Sequence, residues 1–287
     1  MRSKGGWYAG FETISNFQLF FRDWRPKRKS SFLPVIALHG SLIQSGMWNA
    51  MAEGAGSIRM ICPDQRGFGR TDDPDAGDAA SDFAKDVIGL ADALLLDRFV
   101  VMGHSFAASI ALAAAANRPD RVAATVLMDP TVRDISGAKA NLEASRTRPM
   151  EFEDLAQAQK FITQSEEGNW PHARTRRFLS DVLIRDGVTG VCRVPYEKDR
   201  ILRLREFQAS SASDYDPVFW AQRTKCPSLV IRGGASKRFS ENSEKSLMSV
   251  LPMESKVVVC EKAGHFPSVS EPSIVQREFK TFLADLK

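Results

Sequence analysis

The chain has 287 residues, 43% of them hydrophobic, and its 39 Lys/Arg against 35 Asp/Glu give a formal charge of +4. That length suits one large α/β domain, alone or with an insertion, and the near balance of charge excludes a nucleic-acid coat. No run approaches the roughly 18 apolar residues of a membrane span, and Met1 to Gly10 lacks the apolar core of a secretory leader. The expectation is a cytoplasmic protein that acts on a small molecule and binds neither membrane nor nucleic acid. Self-association into a homodimer is left open. The positive charge is uneven: residues 1–30 hold seven Lys/Arg, and nine more lie between Arg174 and Arg205. The cysteines Cys62, Cys192, Cys226 and Cys260 show no CxxC spacing, so free thiols are expected, and nothing resembles a metal-ligand set.

In chain order, Gly10 to Trp24 alternates weakly with aromatics and reads as a hairpin turning near Ser15-Asn16. Leu33 to Leu38 is a continuous apolar run, as expected of a strand buried on both faces, and His39-Gly40-Ser41 follows it. Trp48 to Ala55 looks helical and Ile58 to Cys62 extended. The loop Asp64-Gln65-Arg66-Gly67-Phe68-Gly69 is glycine-rich, but without a following Lys-Ser/Thr it is not a phosphate loop. Apolar residues recur at near-helical spacing from Phe83 to Leu95, predicting a surface helix over 82–96.

The apolar run Phe99 to Met102 then ends in Gly103-His104-Ser105-Phe106-Ala107 and an alanine-rich helix to Asn117. Strand, small residue, serine and helix in that order form a nucleophile elbow, a sharp turn that lifts the Ser105 hydroxyl above the sheet and turns the Phe106 N–H towards the same point. A further strand, Ala123 to Met128, ends in Asp129-Pro130. Ligands of parallel α/β sheets bind beyond the carboxyl ends of the strands, and His39, Ser105 and Asp129 all fall there. The Ser41 N–H, freed by the glycine before it, is the second candidate oxyanion donor beside Phe106.

From Thr131 to Asp216 the pattern turns charged and helical, with helices predicted over 139–148, 152–166, 173–185 and 199–212 and no strand. This reads as a helical cap, so that residues 1–130 and 217–287 form the core and 131–216 the insertion. Strands resume at Ser228 to Gly233 and Ser255 to Glu261, the latter leading to Ala263-Gly264-His265-Phe266, and a helix over 273–286 closes the chain.

These pieces, His39-Gly40, Asp64 to Gly69, Gly103-His104-Ser105 and Ala263-Gly264-His265, resemble the α/β-hydrolase superfamily over nearly all of the chain outside the insertion. The resemblance implies an α/β fold with a mostly parallel, eight-stranded sheet flanked by helices and an inserted helical cap. It further implies Ser105 as nucleophile, His265 as general base, and no cofactor. Many relatives carry the acid after the strand that here ends at Gly233-Gly234, where this chain has Ala235-Ser236-Lys237-Arg238-Phe239-Ser240. Asp129, at the end of the strand beside the elbow, is the expected replacement.

Two subgroups with the acid so placed fit. The chain looks most like the (E)-2-(acetamidomethylene)succinate hydrolases, which share the Arg-Gly-x-x-Ser-Lys-x-x-Ser run seen from Arg232 to Ser240. The other is the cofactor-free dioxygenases of quinolone breakdown, in which a His/Asp pair deprotonates a hydroxyl. The expected function is therefore serine-dependent hydrolysis of a small ester, amide or enamide, with a carboxylate on the substrate as in the first subgroup. The alternatives are dioxygenation, or a ligand receptor without catalysis. Expected substrate contacts are His104, Phe266 where that subgroup has tyrosine, Trp170 within Asn169-Trp170-Pro171, and Arg146. Arg148, Arg174, Arg176 and Arg177 are further candidate cations.

Overall fold

A computed structural model describes residues 6–28, 30–75, 77–132, 135–165 and 170–286. The first hairpin, β1 (Tyr8–Ile14) and β2 (Phe17–Trp24), turns at Ser15 with φ 57°. Then come β3 (Val35–Leu38), α1 (Asn49–Ala55), β4 (Met60–Pro63), α2 (Ala80–Ala93), β5 (Phe99–His104), α3 (Ala107–Asn117) and β6 (Val122–Met128). The strands assemble in the order β1-β2-β4-β3-β5-β6, continued by β10 (Ser228–Gly233) and β11 (Lys256–Cys260). Pairing is parallel from β4 through to β11 and antiparallel only for β1–β2 and β2–β4.

Strand periodicity builds two cores, one on each face. Ile36, Leu38 and Val101 point into the layer made with α2 and α3, whereas Val35, Ala37, Val100 and Met102 point to the opposite layer. That second layer is closed by α1 and by α11 (Pro272–Asp285), which buries Val275, Phe279, Phe282 and Leu283. The short α10 (Pro267–Ser270) precedes it. Because both faces are covered, the central strands are apolar without alternation, as the sequence of β3 and β5 shows.

The chain between β6 and β10 is mainly helical. It contains α4 (Ile135–Thr147), α5 (Leu155–Ser165), α6 (His172–Val182) and α7 (Lys198–Ser210), with α4 packed on α7 and α5 on α6. The expectation that this stretch holds no strand is corrected. β7 (Glu151–Phe152), β8 (Ile184–Arg185) and β9 (Cys192–Arg193) form a small antiparallel sheet in the order β7-β9-β8. Two residues per strand are too few to display a period of two. The chain returns to the core through α8 (Pro217–Ala221), whose N-cap Asp216 accepts the Val218 N–H at 2.9 Å, and α9 (Glu241–Met248) lies between β10 and β11.

The glycine-rich loop after β4 is a structural clamp. Asp64 accepts the N–H groups of Ser45 at 2.9 Å and Arg70 at 3.0 Å, and Arg66 makes a two-point pair with buried Asp86 at 2.6 Å on each arm. Gln65 fixes the strand end opposite: its backbone N–H donates to His39 Nε2 at 2.9 Å and its side-chain amide to the His39 carbonyl at 2.6 Å. All four cysteines are free and buried. Among the described residues no helix is long and apolar enough to cross a membrane, and no cluster of His, Cys, Asp or Glu could hold a metal ion.

Candidate active site

The turn from β5 to α3 requires one unusual backbone and one missing side chain. Ser105 sits at φ 60°, a left-handed conformation that costs a side-chain-bearing residue of the order of 1–2 kcal/mol. Gly103 leaves space for the turn to close, since a Cβ there would lie 2.1 Å from the Ala107 carbonyl oxygen and 2.8 Å from the Ala108 nitrogen. At the end of β6, Asp129 is held at φ 43°, with its N–H donating to the Ile231 carbonyl of the neighbouring strand at 2.7 Å. The third segment follows β11. A Cβ at Gly233 would lie 2.1 Å from the Gly264 carbonyl oxygen, so the glycine ending β10 lets the His265 loop lie directly against the strand.

These three segments place their side chains in one hydrogen-bonded row. Ser105 Oγ lies 3.0 Å from His265 Nε2, and His265 Nδ1 lies 2.7 Å from Asp129 Oδ2. The carboxylate is an acceptor, so the proton of the neutral ring resides on Nδ1 and Nε2 is free to accept the serine hydroxyl. Asp129 also accepts the Gly233 N–H at 2.9 Å and the Ser236 hydroxyl at 2.6 Å. Burial pushes its carboxyl up to about 6, against the opposing pull of the Ser236 and Gly233 hydrogen bonds.

Two participants lay outside the sequence reading. The Thr131 hydroxyl lies 2.9 Å from Ser105 Oγ, and with the serine proton directed at His265, it is Thr131 that donates. Ser236 lies in the loop after β10, and its hydroxyl braces the Asp129 carboxylate. The Arg232 to Ser240 run had drawn attention to this loop, but nothing in it announces a bond to a residue more than 100 positions away.

Around the row lies a cavity of about 110 Å³ whose wall includes Ser41, His104, Ser105, Trp170, Phe178, His265 and Phe266. Phe266 packs edge-on against Trp170 at 5.2 Å and Phe178 at 5.4 Å, and its tilted ring lies 4.8 Å from that of His104. The buried His104 donates from Nε2 to the His265 carbonyl at 2.7 Å, and burial, reinforced by the nearby His265 ring, pulls its pKa down to about 3. It therefore stays neutral and anchors the His265 backbone, meeting the cavity by its ring alone. The side chain of Phe106 is turned into the core against Phe83 and Tyr215 and is not part of the cavity wall. Among the described residues neither the Phe106 N–H nor that of Ser41 enters a backbone hydrogen bond.

The cations are distributed differently from the expectation. Arg146 is not in the cavity wall: its side chain is half exposed and faces Glu143 at 3.4 Å and Glu206 at 3.8 Å. Arg148, two residues on and past the helix end, is in the wall instead. Arg174 donates to the Ser270 carbonyl and Arg177 pairs with Glu53, and neither they nor Arg176 reach the cavity. Asn169 lies outside the described residues. Two arginines that the sequence did not single out, Arg205 on α7 and Arg238 after β10, complete the wall.

Known proteins match this chain in sequence and fold. A family model described as the alpha/beta hydrolase family matches residues 35–276. A 2-(acetamidomethylene)succinate hydrolase of Mesorhizobium japonicum is 27% identical over 266 residues, covering 90% of each chain. A 2-hydroxymuconate semialdehyde hydrolase of a Pseudomonas species is 37% identical over 104 residues, 33% of this chain and 35% of its own. In structure, an E-2-(acetamidomethylene)succinate hydrolase superposes with TM-score 0.81 at 24% identity, covering 97% of this chain and 99% of that one. An alpha/beta hydrolase of Novosphingobium aromaticivorans does so with TM-score 0.77 at 21% identity, covering 99% of both. These superpositions bear on the fold alone, but the family model spans most of the sequence, from the first parallel strand to the last helix. The chain belongs to the α/β-hydrolase family and is a hydrolytic enzyme of that family.

Proposed function

We propose that the enzyme hydrolyses a small ester, amide or enamide through an acyl-enzyme on Ser105, with His265 as general base and acid and Asp129 as its partner. The observation that carries this reading is the row Ser105–His265–Asp129, with contacts of 3.0 and 2.7 Å beside a cavity. In the first half-reaction Ser105 Oγ bonds to the carbonyl carbon as its proton passes to His265 Nε2. Asp129 stabilises the imidazolium, and the ring then gives the proton to the departing nitrogen or oxygen. In the second, water takes the place of serine, and its proton follows the same route. The N–H groups of Phe106 and Ser41 are the proposed oxyanion donors, each worth about 3 kcal/mol in the transition state. Residues 131–216 act as the cap: their side chains, Trp170 and Phe178 among them, form much of the cavity wall and exclude water from the acyl group. The name of the M. japonicum relative supports an acylated enamine with carboxylates as the substrate type.

The test is p-nitrophenyl acetate turnover followed together with dissolved oxygen across pH. Nitrophenolate release without oxygen uptake is expected, whereas uptake with a hydroxyquinolone and no ester turnover would favour the dioxygenase chemistry of the same His/Asp pair. The active form needs Asp129 ionised and the His265 ring neutral, and with the carboxyl held at about 6, kcat/KM is expected to fall as the pH drops through that region. Below it, protonation removes the negative charge facing the imidazolium, and the rate falls about tenfold per pH unit. A limb starting two units lower would contradict the assignment of Asp129.

A further inference from the structure

The cavity beside Ser105 carries more positive charge than the fold neutralises. Arg148, Arg205 and Arg238 all contribute to its wall, and among the described residues none of the three is paired with an Asp or Glu. The other arginines nearby behave differently. Arg203, one turn away on the same helix face as its neighbour Arg200, is matched to Asp73 and Asp78, and Arg146 faces two glutamates.

Arg205 is the extreme case. It is 3% exposed, and its neutral partners are Gln208 Oε1 at 2.7 Å and Ser41 Oγ at 2.8 Å. Its Nε–H is buried without an acceptor among the described residues, as is the indole N–H of Trp170 on the same wall. Burial, aggravated by Arg238, pulls its pKa down to about 10, which still leaves it cationic at neutral pH. A buried guanidinium without a counter-ion is strongly disfavoured unless an anion completes it, and a planar fork suits a carboxylate.

We propose that Arg205, flanked by Arg148 and Arg238, is the receptor for a carboxylate on the acyl substrate and determines the preference for anionic over neutral acyl compounds. This rests on the reading of Ser105 as nucleophile. The bond to Ser41 gives the receptor a second consequence: one guanidinium links the substrate anion to the segment bearing the proposed oxyanion N–H. An anion seated there holds that N–H in place, so part of the binding energy appears in kcat rather than in KM alone.

The experiment compares p-nitrophenyl hydrogen succinate, which carries a free carboxylate, with neutral p-nitrophenyl acetate. In the native enzyme kcat/KM is expected to favour the anionic ester, and in Arg205→Gln the ratio of the two values falls by about 100-fold, with kcat for the anionic ester reduced as well as KM raised. Arg205→Lys, which keeps charge but not the fork, is expected to fall between. Arg238→Gln, at a less buried position, lowers the ratio about tenfold and decides the matter if Arg205→Gln does not fold. A ratio unchanged in the folded variants, with both esters still dependent on Ser105, would overturn the receptor and leave the hydrolase reading standing. Turnover indifferent to Ser105 would sink that reading first.

Discussion

Ser105→Ala is expected to lower kcat/KM for p-nitrophenyl acetate by on the order of 10⁶ while leaving the protein folded, because the hydroxyl removed is the one hydrogen-bonded to His265 Nε2. Among the described residues the Ser105 side chain bonds to His265 and Thr131, and alanine presents the same Cβ to the same left-handed backbone, so the strain at φ 60° is unaltered. Thermal unfolding should therefore shift by no more than a few degrees. A variant within tenfold of the native rate would show that Thr131 or a bound water performs the attack, and that the elbow only holds substrate.

Asp129→Asn is expected to remove about 10⁴ of the rate. Asparagine can still accept the Gly233 N–H, but its amide presents a donor where His265 Nδ1 now meets an acceptor. The ring then prefers the opposite tautomer, with the proton on Nε2, and cannot accept the serine proton. No substitute is at hand in Glu241, which is exposed and paired with Lys245 at 2.6 Å. Near-native activity would require a different third member.

Much of this site can be read from local sequence, because its pieces are each defined by short-range rules. The elbow needs an apolar strand, a residue without a side chain and a helix within a few positions, and Gly103 to Ala107 supplies them in order. Asp129 could be singled out because it ends the strand that pairs directly with the elbow strand, a topological argument needing no contact information. What stayed hidden depends on pairs distant in the chain. Nothing around Arg205 distinguishes it from Arg203, two residues earlier on α7: one is buried without an acid and the other lies on Asp73 and Asp78. Likewise Arg146 and Arg148 differ by two residues, which on or near a helix end is enough to face opposite ways. The three two-residue strands between β6 and β10 were invisible for a simpler reason. They carry no pattern of their own and are fixed by pairing between residues distant in the chain, such as Glu151 with Arg193.

Family membership fixes the scaffold and leaves the substrate to residues the scaffold does not dictate. In this chain the row Ser105–His265–Asp129 is set by the ends of β5, β6 and β11 together with Gly103 and Gly233, whereas much of the cavity wall comes from the stretch between β6 and β10. Phe266 packs into an aromatic group with Trp170 and Phe178 and offers no hydroxyl, and in the proposed reading carboxylate recognition falls to Arg205 and its flanking arginines.

The account depends most on a covalent intermediate. Asp129→Asn enzyme, slowed in both half-reactions, is mixed with p-nitrophenyl acetate, quenched in acid and digested, and the peptides are weighed. An acetyl group on the peptide containing Ser105, and on no other, is the predicted result. Product formed while Ser105 remains unmodified, or an acetyl group carried elsewhere, would contradict it.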